Sequence, residues 1–192
     1  KLEAAMAKLE EAVALFRELG MIKELSFAEL DMGKVCQQLG NYAGALKFYQ
    51  GGLRSCASID DSAGLSLTYN RLGLAYGDLG QFEKAVGCHR QSLKFNRLLD
   101  NQLAISVNLN NLASMFREMK QPDSALFYLY QFLKISQGKG DRQGEAIALG
   151  NLGDVHYKKG DYEKALISYQ ESQDISETTG DGEGVIITLI GE

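Results

Sequence analysis

The sequence predicts an all-α fold, a solenoid of antiparallel helix pairs, on three observations. An alanine recurs every forty residues, at Ala5, Ala45, Ala85, Ala125 and Ala165, and a hydrophobic residue follows each one (Met6, Leu46, Val86, Leu126, Leu166). A fixed period of this size marks stacked repeats, each too small to bury its own apolar face. Within the period, apolar residues fall at three- and four-residue steps, the spacing of one helix face. Single glycines at Gly20, Gly40, Gly80 and Gly160 punctuate these runs, as glycines do at helix C-termini.

Residues 1–20 read as the second helix of a repeat, with Leu2, Met6, Leu9, Val13 and Phe16 on one face. Four complete repeats follow, at 24–58, 64–98, 104–137 and 144–177, each a first helix, a tight turn and a second helix. In the third, Lys120 stands where the others have a turn glycine, and Pro122 where they have Tyr42, Phe82 and Tyr162. Proline suits a first helical turn, whose N–H has no partner within the helix. Between repeats, DDS, DNQ, GDR and GDG supply turn-forming and capping side chains. The tail at 184–192 (GVIITLIGE) is rich in β-branched residues, yet Ile187 and Leu189 fall forty residues after Ile147 and Leu149. Register therefore predicts a further first helix there, a partial repeat. The chain opens within one helix and stops within another, and reads as a single domain, 1–192, of a longer protein.

At 192 residues, 45% hydrophobic and 23% charged, the chain has the composition of a folded protein. A net charge of −5 argues against nucleic acid as partner, because phosphate binding needs a basic stripe. No apolar run reaches the roughly 20 residues that cross a bilayer. Cys36, Cys56 and Cys88 match neither zinc-ligand nor redox-pair spacing; reduced, buried thiols fit an intracellular, cytoplasmic protein.

Leu72–Gly73, Tyr76, Gly80, Phe82 and Ala85, with Leu152–Gly153, Gly160, Tyr162 and Ala165, resemble the tetratricopeptide repeat, a two-helix unit. The first repeat carries Met32–Gly33 and Cys36 in this pattern, the third Leu112–Ala113 and Phe116, and His156 takes the aromatic slot of the fourth. The forty-residue length is similar to that of LGN/Pins-type adaptors and kinesin light chains. The resemblance covers nearly the whole chain. It implies a right-handed superhelix with a concave groove that binds proteins or peptides. Small Gly33, Gly73, Ala113 and Gly153 on first helices, and the recurring alanine on second helices, would let paired helices approach closely.

No catalytic or metal-binding constellation can be assembled, and no cofactor is expected. His89 and His156 lack ligand partners at metal spacing and sit where sister repeats carry apolar or aromatic residues. GKGDRQG lacks the phosphate-loop pattern. What stands out is a polar column on the first helices, at positions that face the groove in the resembling families. Its members are Asn70, Arg71, Asn110, Asn111, Arg117, Asn151, Asp154, Tyr157 and Lys158. An amide donates and accepts at once, matching an extended backbone, and arginine offers a bidentate fork for a carboxylate. A solvated helix face would look the same. The lysines by which some tetratricopeptide domains clamp a terminal carboxylate are absent from the expected positions. The function expected is non-enzymatic binding of a protein or peptide segment, in an adaptor or scaffold. The alternative is a peptide- or ligand-sensing domain of a larger signalling protein, as in bacterial regulators built on similar repeats. Self-association is expected through the apolar C-terminal end, where Val185, Ile186, Ile187, Leu189 and Ile190 lack a covering helix.

Overall fold

The computed structural model describes residues 2–179, Glu3 by its backbone alone. Nine helices and no strand make up the described residues: α1 (Leu2–Glu18), α2 (Ile22–Gln38), α3 (Tyr42–Ser58), α4 (Ser62–Asp78), α5 (Phe82–Leu98), α6 (Gln102–Glu118), α7 (Pro122–Lys139), α8 (Arg142–Lys159) and α9 (Tyr162–Thr179). This is the all-α class that the periodicity predicts. The partial repeat expected at 184–192, and the self-association expected through it, lie outside the described residues.

Every helix starts twenty residues after the one before, because every helix is closed in one way. Gly20, Gly40, Gly80, Gly140 and Gly160 hold positive φ, and so do Asp60 (52°), Asp100 (50°) and Lys120 (55°). At each, two backbone bonds reach back into the last turn. The Gly40 amide donates to the Gln37 carbonyl (3.0 Å) and the Asn41 amide to the Cys36 carbonyl (2.8 Å). The same pair of bonds recurs from Gly20–Met21 to Gly160–Asp161. They satisfy carbonyls that a helix end leaves without partners.

The residue after each left-handed position immediately precedes the next helix. Asn41, Asp61, Asn101 and Asp141 accept from the amides of Gly44, Gly64, Ala104 and Gly144 at 2.9–3.1 Å. The caps at Asp61, Asn101 and Asp141 explain a difference from the expected bounds, whereas Met21 before α2 makes no side-chain cap. The sequence places first helices from 24, 64, 104 and 144, whereas they begin at Ile22, Ser62, Gln102 and Arg142. The small residue at 64, 104 and 144 is the third helical position, the one whose amide a cap receives, rather than the first.

Backbone contacts divide the chain into two compact units, one ending at Asn108 and one beginning at Leu109, within α6. In the first unit, α1 to α5 pack each on the next, and α2 also touches α4 directly. First helices there share a layer. Leu30, Cys36, Ala45, Tyr49, Leu72 and Ala75 form its core, with Leu46, Phe48 and Tyr69 against it. In the second unit, α8 packs on α7 and α9, and Phe116 stacks on Tyr128 at 5.5 Å. Ala45, Ala85, Ala125 and Ala165 are all buried to within 2% of full cover, as their recurrence predicts.

One packing pair repeats sixteen residues apart. A Cβ added at Gly33 would lie 2.3 Å from the Tyr49 ring, at Gly73 2.6 Å from the His89 ring, and at Gly153 2.5 Å from the Tyr169 ring. The rings therefore rest on bare helix backbone. Where the third repeat carries Ala113, a Cβ is present and the partner is Leu129, both buried. Tyr49 donates to Gln37 (3.0 Å) and Tyr169 to Asp154 (2.8 Å), so both hydroxyls are satisfied. The residues matching Gln37 and Asp154 in the second repeat are Gly77 and Leu74, which offer no side-chain polar group. His89 is fully buried with neither ring nitrogen hydrogen-bonded, and burial pushes its pKa down to about 4.

Lys120 holds φ 55°, where a side chain costs about 1 kcal/mol or more relative to glycine. Lys120→Gly is expected to raise stability by about 1 kcal/mol, seen as a higher melting temperature. Gly153→Ala is expected to cost roughly 1–3 kcal/mol by overpacking against Tyr169. Combining it with Tyr169→Leu, the Ala113–Leu129 arrangement, should cost clearly less than the two single changes summed, in a double-mutant cycle of denaturant midpoints. His89 takes its proton at about pH 6.5 when unfolded and only near 4 when folded. Its contribution is whole above pH 6.5 and is lost as pH falls toward 4, roughly 3 kcal/mol in all. His89→Leu, the residue type at position 129, should flatten stability over that window relative to the parent.

Candidate functional site

The polar column becomes, in the structure, a set of bonds between neighbouring first helices. In the first unit, Gln37 on α2 donates to Asp78 on α4, and Asn108 on α6 donates to Asn70 on α4 at 3.3 Å. In the second unit, Asn151 on α8 donates to Asn110 on α6 at 2.8 Å. Arg117 Nη1 lies 3.2 Å from Asp154 Oδ2, and the other Asp154 oxygen accepts from Tyr169. Burial, then this bond to Asp154, raises the Tyr169 hydroxyl well above the usual tyrosine range, so it stays a donor.

Around these groups lies a cavity of about 70 Å³ walled by Asn110, Ala113, Ser114, Arg117, Asn151 and neighbours. Arg117 also borders a larger cavity of about 410 Å³, with Glu118, Lys120, Pro122 and Lys158. Its Nε is buried and has no hydrogen-bond partner. A guanidinium donor in that state seeks an acceptor. The smaller cavity is thus lined by one guanidinium, that of Arg117, and by the amides of Asn110 and Asn151.

The sequence-selected residues divide by position. Asn110, Arg117 and Asn151 line the small cavity, Asp154 pairs with Arg117, and Lys158 lines the larger one. Asn111 is half-buried beside them. Tyr157 is 53% exposed and meets Tyr162 edge-on at 5.5 Å. Asn70 and Arg71 belong to the first unit, both half-buried.

Sequence reasoning missed a buried polar network in the first unit. Ser92 donates to the Ser66 carbonyl (2.8 Å), and Asn96 donates to Asn108 Oδ1 (2.6 Å). Asn108 donates in turn to Ser92 Oγ (3.1 Å). All four side chains are at most 4% exposed. A register comparison carries the signal, since the preceding repeat has Gly52, Cys56 and Thr68 where these have Ser92, Asn96 and Asn108.

Among the described residues, no cluster of His, Cys, Asp and Glu could hold a metal ion. His156 Nε2 is 3.2 Å from the Tyr130 hydroxyl, and its Nδ1 lies 3.4 Å from Asp161 without a hydrogen bond. The cysteines are free. Burial raises the Cys88 thiol to about 11 and, with Glu10 adding, raises that of Cys36 too, which holds both in the unreactive thiol form. No described helix is long and apolar enough to cross a membrane.

No curated protein matches the chain significantly. Solved structures do. The structure of the apo form of RapI superposes with a TM-score of 0.85 at 17% identity, over 94% of this chain and 66% of that one. BtubC (BKLC) from P. vanneervenii gives 0.80 at 21% identity, over 93% and 74%. A Podosopora anserina putative kinesin light chain with nearly identical TPR-like repeats gives 0.80 at 16%, over 94% and 89%. At these identities the likeness shows the fold. The sequence profile of the tetratricopeptide repeat matches residues 24–97 and 101–178, and the chain belongs to the tetratricopeptide repeat family.

Proposed function

We propose that the chain is a non-enzymatic interaction module, the binding part of an adaptor or scaffold, which holds an extended or helical protein segment along its first helices. In the second unit Asn110, Asn111, Asn151 and Arg117 would grip that segment, with Asp154 orienting Arg117 and Lys158 and Tyr157 at the margin. In the first unit Asn70 and Arg71 would offer a second set of contacts. The observation that carries this reading is Arg117 Nε, buried beside a polar cavity with no acceptor. An unsatisfied buried donor costs about 1–3 kcal/mol, and a carbonyl or carboxylate from a partner that turns the guanidinium into the cavity would relieve it.

The lateral bonds support the reading too. They fix Asn110, Asn151, Arg117 and Asp154 before any partner arrives, which lowers the ordering cost of binding. Each amide keeps a second donor or acceptor function beyond the bond it makes. The net charge of −5 favours protein over nucleic acid as partner, and free thiols, those of Cys36 and Cys56 buried, suit a cytoplasmic location.

The test starts by selecting peptides from a randomised display library on the parent chain. Arg117→Gln with Asn151→Ala is then expected to weaken the selected peptides at least tenfold, by fluorescence anisotropy, with the helical circular dichroism retained. Equal affinity for parent and variant would count against the site.

A further inference from the structure

The first unit contains a pocket that shares only Asn70 with the recognition surface above. It opens where α4, α5 and α6 meet and has a volume of about 310 Å³. The preceding joint, of α2, α3 and α4, shows what ordinarily fills this place. There Leu30 is buried over Gly52, whose added Cβ would meet the Leu30 side chain at 3.5 Å, and Cys56 and Thr68 are fully covered. One repeat later Asn70 replaces Leu30 and Ser92 replaces Gly52. Asn108 donates to that asparagine at 3.3 Å. An apolar plug has become a polar floor.

That floor is bound within itself through Ser66, Ser92, Asn96 and Asn108. The mouth is aliphatic: Leu67, Leu99, Leu103 and Val107 are 39%, 44%, 73% and 45% exposed. Such a cluster at a pocket mouth marks a binding place rather than scattered surface leucines. No residue lining the pocket carries a charge, although 23% of the chain is charged. A charged group entering here would lose hydration and find no counter-ion. The fitting occupant is uncharged and branched.

We propose that this pocket is a subsite for one neutral aliphatic side chain, of leucine or isoleucine type, of a partner peptide. The peptide nature of the occupant rests on the interaction reading above; the aliphatic preference rests on the pocket alone. The side chain takes the place that Leu30 fills one repeat earlier, so the partner completes a core layer left open.

Two measurements on the full chain test it. In the first, peptide pools with random flanks and a fixed central Leu, Ile, Lys or Asp are titrated by anisotropy. The Leu and Ile pools are expected to bind at least tenfold tighter than the Lys and Asp pools. Asn70→Leu, which refills the pocket, and Leu103→Lys, which charges an exposed rim position, should each erase that preference, whereas Arg117→Gln weakens all pools alike. Pools of equal affinity, or a preference that survives both variants, overturn the proposal. In the second, N-acetyl-leucine-methylamide and its lysine counterpart are titrated against the methyl resonances of Leu67, Leu99, Leu103 and Val107. If no pool binds, the interaction reading fails. Shifts caused by the leucine probe alone would then still support the aliphatic subsite, and shifts from neither probe would overturn it.

Discussion

The left-handed residue that closes each helix is the constraint on which the rest of this chain depends. At Gly20, and every twentieth residue from there to Gly160, positive φ reverses the chain and two amides seal the last turn. Because each reversal is made the same way, helices leave their joints alike and their side chains stay in phase. That phase sets Gly33 beneath Tyr49, Gly73 beneath His89 and Gly153 beneath Tyr169. Five joints use glycine and three do not. The joint geometry is thus imposed by the array even where the local residue disfavours it.

Much of this architecture is legible in the sequence, for physical reasons that differ between elements. Ala45, Ala85, Ala125 and Ala165 recur because a buried crossing admits nothing larger, and their burial follows from spacing alone. The helix starts are less legible, since Asp61 and Asp141 cap amides three residues on and the intervening residues carry no periodic signal. The glycines at 33, 73 and 153 can be read as sites of close approach. That a ring sixteen residues later lies on them cannot, because it depends on how two helices cross. His89 reads as a packed residue; its lack of partners follows only once Gly77 and Leu74 are seen to stand where tyrosines elsewhere find theirs.

The polar column is the instructive case. Polar residues at one register position read equally well as a recognition surface and as a solvated face. The structure adds a third role, in which Asn151 reaches Asn110 and Arg117 reaches Asp154 across neighbouring helices. Those bonds span 37 to 41 residues and depend on side-chain rotamers, which periodicity does not encode. Holding the helices together and presenting donors are compatible tasks for an amide, and a group already fixed by one bond makes its next bond with less entropy to lose.

The joints repeat every twenty residues, but the packing repeats every forty. Small residues at 33, 73, 113 and 153 lie on one kind of helix, and the bulky residues at 49, 89, 129 and 169 lie on the other. Removing twenty residues would leave every turn intact and yet set two helices of one kind side by side, so that a small residue or the bulky one that covers it would lose its partner. Removing or adding forty disturbs neither turn nor face. A gene rearrangement that lengthens or shortens such a chain can therefore keep its core only in whole helix pairs, although nothing in the backbone at the joints marks where one pair ends and the next begins.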